Sequence, residues 1–155
     1  RDGFNVIGYS GSDGTLAWTT DWLETGDSGD AISGDVQVMS DLSDTRLMIK
    51  NKSRSVEREA DLSGAGTATL TFDYRRSRLD DPADVVSIEV SGDGGGSWNT
   101  LEHFRGPDND AAYVTTSYDI SSFIAPNTRI RFISSSFLGK QDDVFFDNVQ
   151  ITCTP

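Results

Sequence analysis

The sequence predicts an all-β fold: an antiparallel β-sandwich (jelly roll) with two packed sheets, formed by a single β-sandwich domain over residues 1–155. Apolar and polar residues alternate with period two in several short segments, and no window keeps the 3.6-residue period of a helix. Of the 25 acidic residues, 20 are Asp and 5 are Glu, and the chain has 15 Gly. Because Asp and Gly favour turns whereas Glu favours helices, we expect short strands joined by polar turns.

Five segments carry the alternation, in chain order 46–50, 67–74, 86–90, 129–132 and 145–151. The fifth segment places Phe145, Asp147, Val149 and Ile151 on one side by strict alternation, and this side is expected to face the core. If this segment pairs antiparallel with the second one, the loop 79–84 lies beside the loop 139–143.

The clearest turn lies between the segments 86–90 and 98–104. Ser91, Asp93, Gly95 and Trp98 resemble the Asp-box, Ser-x-Asp-x-Gly-x-x-Trp, in which the glycines take positive φ and Asp bonds its own turn. The Asp-box is a structural turn in the families that carry it, so this stretch predicts a hairpin and no catalytic role.

The charge balance excludes several classes of partner. The formal net charge is −12, which argues against nucleic acid and anionic membranes. No apolar run reaches the length of about 18 residues that a membrane span needs, so we expect no membrane insertion. The chain begins at Arg1 without a signal peptide, which suggests a fragment whose partners include other domains of a larger parent protein.

The sequence favours a non-catalytic binding or structural module over an enzyme. His103 is the only histidine and therefore the only possible base of a Ser-His-Asp triad, and no Gly-x-Ser-x-Gly motif accompanies it. The single cysteine, Cys153, excludes a disulfide within the chain and a cysteine-based zinc site.

Clustered carboxylates predict a calcium site. Asp147 lies on the expected core side, where an ionised carboxylate needs a cation, an arginine or backbone donors. Asp81 and Asp84 in one loop and Asp143 in the other are expected near the same end of the sandwich. Ca²⁺ takes six to eight oxygen ligands in flexible geometry, which such loops supply. The alternative is an ion-pair network of these carboxylates with Arg75, Arg76 and Arg78.

Aromatic side chains beside polar loops are the candidates for ligand binding, because flat rings pack against the apolar face of a sugar. The candidates are Trp18, Trp22, Phe104 and Tyr113, and Arg76 is the candidate for an acidic sugar. The alternative for each tryptophan is a place in the core. The two tryptophans share one face if residues 18–22 form a regular strand.

Several stretches together resemble a known group of modules. The final strand with Asp147-Asn148-Val149-Gln150-Ile151, the segments 70–76, 84–98, 118–121 and 129–132, and the opening stretch 12–24 are similar to calcium-containing jelly-roll modules related to MAM domains and carbohydrate-binding modules. These occur in secreted or surface bacterial proteins. The resemblance implies a structural calcium held by Asp147 and Glu24, and a secreted or cell-surface location.

The sequence thus predicts a secreted, calcium-stabilised module that binds a polysaccharide or cell-surface glycan as an accessory domain of a larger enzyme or adhesin. The alternative is a structural spacer that binds calcium and has no sugar site. A spacer should bury its aromatic side chains, which gives the structure a way to separate the two.

Overall fold

The computed structural model describes all residues from 1 to 155 and contains two five-stranded antiparallel sheets. The strands are β1 (Leu23–Thr25), β2 (Val36–Asp41), β3 (Asp44–Lys50), β4 (Ser55–Ala60), β5 (Thr67–Ser77), β6 (Val85–Ser91), β7 (Asn99–Arg105), β8 (Val114–Asp119), β9 (Thr128–Ser134) and β10 (Asp143–Thr154). The strand orders are β1-β4-β9-β6-β7 and β2-β3-β10-β5-β8. The predicted all-β sandwich is confirmed, and the single helical element is a 3-10 turn, Ser121–Phe123.

The core lies between the two sheets and centres on three phenylalanines from their inner strands. Phe132 of β9 stacks on Phe146 of β10 with ring centroids 3.8 Å apart, and Phe72 of β5 meets both rings edge-on at 5.5 and 5.8 Å. Edge-to-face and stacked pairs of this kind add to the free energy of apolar burial. These contacts join the two sheets at their middle.

Strand β10 pairs antiparallel with β5, the pairing that the sequence suggested only as a condition, but a β-bulge interrupts the register between Asp147 and Gln150. Asn148 occupies the bulge with a φ of +49°. Before the bulge Phe146 faces the core, and after it Val149 does. The expectation that Phe145, Asp147, Val149 and Ile151 share one core-facing side is therefore wrong, because the extra residue reverses the alternation.

Asp147 consequently lies on the outer face of its sheet, although only 3% of it is exposed. Its Oδ2 is 3.0 Å from Arg46 Nη1 and accepts a hydrogen bond from Asn148 Nδ2. Its Oδ1 is buried without a hydrogen-bond partner. Burial raises the pKa of this carboxyl from 3.8 to about 6, against the opposing effects of Asn148 and Arg46.

The first 22 residues form no long strand and are held by one buried ion pair. Arg58 of β4 and Asp2 are 2% and 1% exposed, and Arg58 Nη1 lies 2.6 Å from Asp2 Oδ2. The same oxygen accepts a hydrogen bond from Trp22 Nε1. Arg58 also donates to the carbonyl oxygens of Thr20 and Gly11. One guanidinium therefore fixes three points of the N-terminal segment to the sandwich.

The N-terminal segment also occupies part of an edge of β10. Strand β3 pairs with β10 only over residues 143–146. Beyond the bulge, the one backbone partner on that side is Asp2, whose N–H donates to the carbonyl of Val149 at 2.8 Å. From there to the end of the strand, β10 pairs only with β5.

No helix of this structure has the length and apolarity needed to cross a lipid bilayer.

Asp147→Asn should remove a pH-dependent loss of stability. Between about pH 4 and 6 the folded protein holds a proton on Asp147 that the unfolded chain has released, so the free energy of unfolding falls as the pH rises through this window. The amide of the variant is neutral and avoids the cost of burying a charged carboxylate, and Arg46 retains its ion pair with Asp44 at 2.9 Å. We expect the variant to be more stable than the wild type by about 1–3 kcal/mol at pH 7.5, with the difference vanishing near pH 4.

Urea unfolding across this pH range measures the effect. A variant less stable than the wild type at pH 7.5 would mean that the attraction of Arg46 exceeds the cost of burying the charge.

Arg58→Ala should destabilise the protein by about 3–5 kcal/mol, because it leaves the Asp2 carboxylate buried without its cation. The matched control is Arg129→Ala on the outer face of the same sheet, where Arg129 is more exposed and pairs with Glu57 and Glu59. We expect the control to cost about 1 kcal/mol or less. Equal losses in thermal or urea unfolding would contradict the role of Arg58 as the clamp of the N-terminal segment.

Candidate functional site

A cavity of about 580 Å³ lies where the free edge of β10 meets the N-terminal segment. Its walls are three stretches of chain, 13–18, 60–65 and 150–155, together with Arg1. Apolar and polar groups both line it, and the volume is within the range of small-molecule binding sites. No sequence pattern indicated this cavity, since its walls are far apart in the chain.

Trp18 is the aromatic wall of the cavity and is half-buried. Behind it lie the guanidinium of Arg58, 5.1 Å from its ring centroid, and the ring of Trp22, 6.3 Å away. Both neighbours are buried, so they hold the indole in place. Trp18 does not lie in a strand. The regular strand over residues 18–22, which was the condition for Trp18 and Trp22 to share one face, therefore does not form.

Polar side chains complete the cavity. Asp13 accepts a hydrogen bond from Asn5 and pairs with Arg1 at 3.4 Å, so its charge is partly compensated. Asp61 is exposed and caps the turn after β4 by accepting from the N–H of Ser63. Gln150 contributes an amide from β10. A flat ring with hydrogen-bonding groups around it provides the two kinds of contact that a pyranose needs.

The other sequence-predicted ligand residues lie elsewhere. Trp22 and Phe104 are 2% and 3% exposed and belong to the core, so their rings have no free face for a ligand. Tyr113 is half-buried on the outer face of the β2-β3-β10-β5-β8 sheet, where its hydroxyl donates to Asp41 and the Arg46 guanidinium covers its ring at 4.8 Å.

Arg76 is engaged in an ion pair. Its Nη2 and Nε each lie 2.9 Å from oxygens of Asp110, and Nη1 lies 2.8 Å from Asp108. The structure therefore brings only Trp18, among the five predicted ligand residues, to the cavity.

A separate cluster of carboxylates fits a metal ion. Asp80, Asp84 and Asp142 each place a carboxylate oxygen within 4.8 Å of the others. They come from the loops 79–84 and 139–142, which lie side by side because β5 and β10 pair antiparallel. Burial, and then the charges of Asp84 and Asp80, raise the pKa of Asp142. No arginine or lysine forms an ion pair with any of the three, so a cation would remove an uncompensated repulsion.

Of the residues predicted as metal ligands, Asp84 belongs to this cluster. Its Oδ2 also accepts hydrogen bonds from the N–H groups of Asp80 and Asp81. The side chain of Asp81 accepts from Ala83 N–H within the same loop. Asp143, at the start of β10, pairs with Arg78.

The remaining two predicted ligands have other partners. Glu24 in β1 accepts hydrogen bonds from the Tyr9 hydroxyl and from the N–H of Gly29. Asp147 pairs with Arg46 on the outer face. The structure does not gather the five predicted carboxylates at one place, because the bulge turns Asp147 outward and away from the loop cluster.

The alternative to calcium is an ion-pair network of the loop carboxylates with Arg75, Arg76 and Arg78. Arg75 forms a bidentate ion pair with Asp41, in which Nε lies 2.9 Å from Oδ2 and Nη2 lies 2.6 Å from Oδ1. Arg76 and Arg78 pair with Asp110 and Asp143, as described above. These arginines thus neutralise carboxylates outside the Asp80–Asp84–Asp142 cluster.

His103 lies on β7, and its Nδ1 is 2.7 Å from the hydroxyl of Ser87 on the neighbouring strand β6. The two are cross-strand partners on the outer face of their sheet. The imidazole of His103 therefore has a hydrogen-bond partner within its own sheet.

Comparisons with known proteins find relatives in structure only. No family model matches the chain, and no curated protein matches it in sequence. Among solved structures, a family 61 carbohydrate-binding module in complex with β-1,4-galactotriose is similar, with a TM-score of 0.58, 14% identity, and coverage of 86% of this chain and 88% of that chain.

Two further solved structures are also similar to this chain. A family 29 carbohydrate-binding module has a TM-score of 0.56 and 19% identity, covering 96% of this chain and 87% of its own. The K1 cleaved adhesin domain of Lys-gingipain from Porphyromonas gingivalis W83 has a TM-score of 0.62 and 12% identity, covering 99% and 97%. At these identities the likeness establishes a shared fold, that of carbohydrate-binding modules and adhesin domains.

Proposed function

We propose that this protein is a non-catalytic module that binds carbohydrate in the cavity beside Trp18. The observation that carries the proposal is the indole of Trp18, fixed from behind by Arg58 and Trp22, in the wall of a cavity with a polar rim. The fold shared with carbohydrate-binding modules, one of them bound to a galactotriose, supports it. Such a module acts as a secreted or cell-surface accessory domain, with a polysaccharide or surface glycan as its partner.

The arrangement suits a sugar ring for physical reasons. The indole face gives the C–H groups of one side of the ring an apolar contact, which removes both surfaces from water. Asp13 and Asp61 accept hydrogen bonds from hydroxyls, and the Gln150 amide both donates and accepts. Asp61, which has no cationic partner, and the net charge of −12 favour neutral glycans over acidic ones.

Trp18→Ala should weaken glycan binding by at least about tenfold, since it removes the aromatic contact from the cavity. Trp98→Ala is the matched control, because Trp98 lies outside the cavity at the 91–98 hairpin, with the Arg131 guanidinium 4.0 Å from its ring centroid. Calorimetric titration with hits from a neutral glycan array measures the affinities. Full affinity in Trp18→Ala, with a wild-type melting curve, would place the sugar site elsewhere.

The second candidate function is the structural spacer, which one observation favours: Trp22 and Phe104 are core residues. Trp18 and Tyr113 are half-buried, which a spacer would not need. An array on which the folded protein binds no glycan would decide for the spacer.

We infer further that Ca²⁺ stabilises the fold at Asp80, Asp84 and Asp142. Hard carboxylate oxygens from two loops suit Ca²⁺, which accepts irregular geometry, better than Mg²⁺, which requires a near-ideal octahedron. Burial, and then the repulsion from Asp84 and Asp80, raise the pKa of Asp142, which supports this assignment.

Calcium should raise the melting temperature of the wild type by several degrees relative to EDTA, because the ion binds only the folded state. Asp142→Asn should lose most of this shift, yet in EDTA it should melt at or above the wild type, since the neutral amide relieves the repulsion. Asp119→Asn, at an exposed carboxylate outside the cluster, is the control and should keep the shift. Equal melting of the wild type in calcium and EDTA would contradict the site.

A further inference from the structure

The edge of β10 that borders the cavity has free main-chain groups. In an antiparallel strand, successive residues direct their N–H and C=O groups to opposite sides. The Val149 carbonyl points away from β5, because it accepts from Asp2, whereas the Thr154 carbonyl accepts from Gly66 on the β5 side. By this alternation Ile151 and Cys153 direct their N–H and C=O groups away from β5.

These groups have no partner in the protein. On this side β3 ends its pairing at Phe146 and the N-terminal segment pairs only at Val149. None of the hydrogen bonds that loops or side chains make reaches the N–H or C=O of Ile151 or Cys153. Both residues line the cavity. The edge therefore offers two residues, each with one outward N–H and one outward C=O, in a cavity that Trp18 also lines.

We propose that the cavity selects N-acetylated neutral sugars through their acetamido group, an inference that rests on the proposed function. The N–H and C=O of an acetamido group point in opposite directions from a planar amide, so its C=O can accept from one outward N–H of the edge while its N–H is left for another acceptor in the cavity. A hydroxyl in its place has no carbonyl oxygen to accept from the outward N–H and no methyl group to bury. Discrimination is strong when a site is built around groups that the wrong ligand leaves unpaired.

The length of the edge favours one amide over a peptide strand. Only two residues, Ile151 and Cys153, face outward between the bridge at Val149 and the end of β10 at Thr154. Two outward-facing residues are at the lower limit of the length over which a second strand can pair. An edge of this length therefore suits a single amide better than a peptide strand. Leu62, a buried residue of the wall, adds an apolar surface for the acetyl methyl group.

The charged residues at the rim of the cavity further limit which N-acetylated sugars we expect it to bind. Asp13 and Asp61 line the cavity together with Arg1, which compensates part of the charge of Asp13, while Asp61 has no cationic partner and the chain carries a net charge of −12. A sugar carboxylate would meet repulsion here, whereas a neutral N-acetylhexosamine would not. We therefore assign the preference to neutral N-acetylhexosamines and not to acidic N-acetylated sugars.

Three disaccharides that differ only in the substituent at C2 of each ring test the proposal by calorimetric titration: N,N′-diacetylchitobiose, its deacetylated form and cellobiose. We expect the diacetylated sugar to bind at least about tenfold more tightly than cellobiose. Equal affinities would overturn the acetamido assignment while leaving the carbohydrate function intact. If the protein binds other glycans but none of these three, the acetamido assignment is likewise overturned and the carbohydrate function stands. If it binds no glycan at all, both the acetamido assignment and the carbohydrate function are overturned.

Cys153 provides an independent readout at the same edge. It is the only cysteine, it is exposed, and it lines the cavity. Diacetylchitobiose at saturating concentration should slow maleimide labelling of this thiol several-fold, and cellobiose at the same concentration should not. Unchanged labelling in saturating diacetylchitobiose would place the sugar away from this edge.

A main-chain variant separates the amide contact from the rest of the site. Cys153→Pro removes the outward N–H without removing a bond to β5, and Cys153→Ala is the matched control. We expect Cys153→Pro to lose at least about fivefold in affinity for diacetylchitobiose and to bind cellobiose as the wild type does. An unchanged preference in a folded Cys153→Pro protein, together with unprotected labelling in the wild type, would overturn the proposal.

Discussion

The buried ion pair between Arg58 and Asp2 is the constraint on which the candidate site depends. Two charges removed from water are stable only when every lone pair and proton is satisfied, and here Arg58 also binds the carbonyls of Thr20 and Gly11. The N-terminal segment, which has almost no sheet pairing of its own, is thereby fixed across the end of the sandwich. The same guanidinium lies behind Trp18, so the aromatic wall of the cavity is positioned by the residue that anchors the segment.

The bulge in β10 is the second requirement, because it decides what each half of the strand contacts. Before Asn148 the strand is central, with β3 on one side and β5 on the other. After it the strand keeps only β5, and the edge thus freed becomes a wall of the cavity. An unpaired edge is ordinarily an aggregation hazard. Here it is short and screened by the residues 13–18, which leaves room for a ligand but little for another chain.

The acidic residues divide into two groups by their surroundings. On the outer face of the β1-β4-β9-β6-β7 sheet, Arg129 and Arg131 alternate with glutamates, so the charges there compensate one another. At the loops 79–84 and 139–142, three aspartates meet without an arginine. The net charge of −12 is therefore partly concentrated at one place, which is why a divalent ion is proposed there and not at Asp147, where Arg46 supplies the positive charge.

The sequence by itself determined the sandwich and the Asp-box hairpin, since period-two alternation and turn chemistry are local properties. It placed the two acidic loops side by side only on the condition that β5 pairs with β10. The sequence also identified Trp18 as a candidate for ligand binding and Asp84 as a candidate metal ligand. Only the tertiary structure decided that Trp22 and Phe104 are core, that Asp147 faces outward, and that Asp80 and Asp142 complete the cluster. A one-residue bulge reverses every later side chain, and a cavity built from the chain segments 13–18, 60–65 and 150–155 exists only once distant residues have packed.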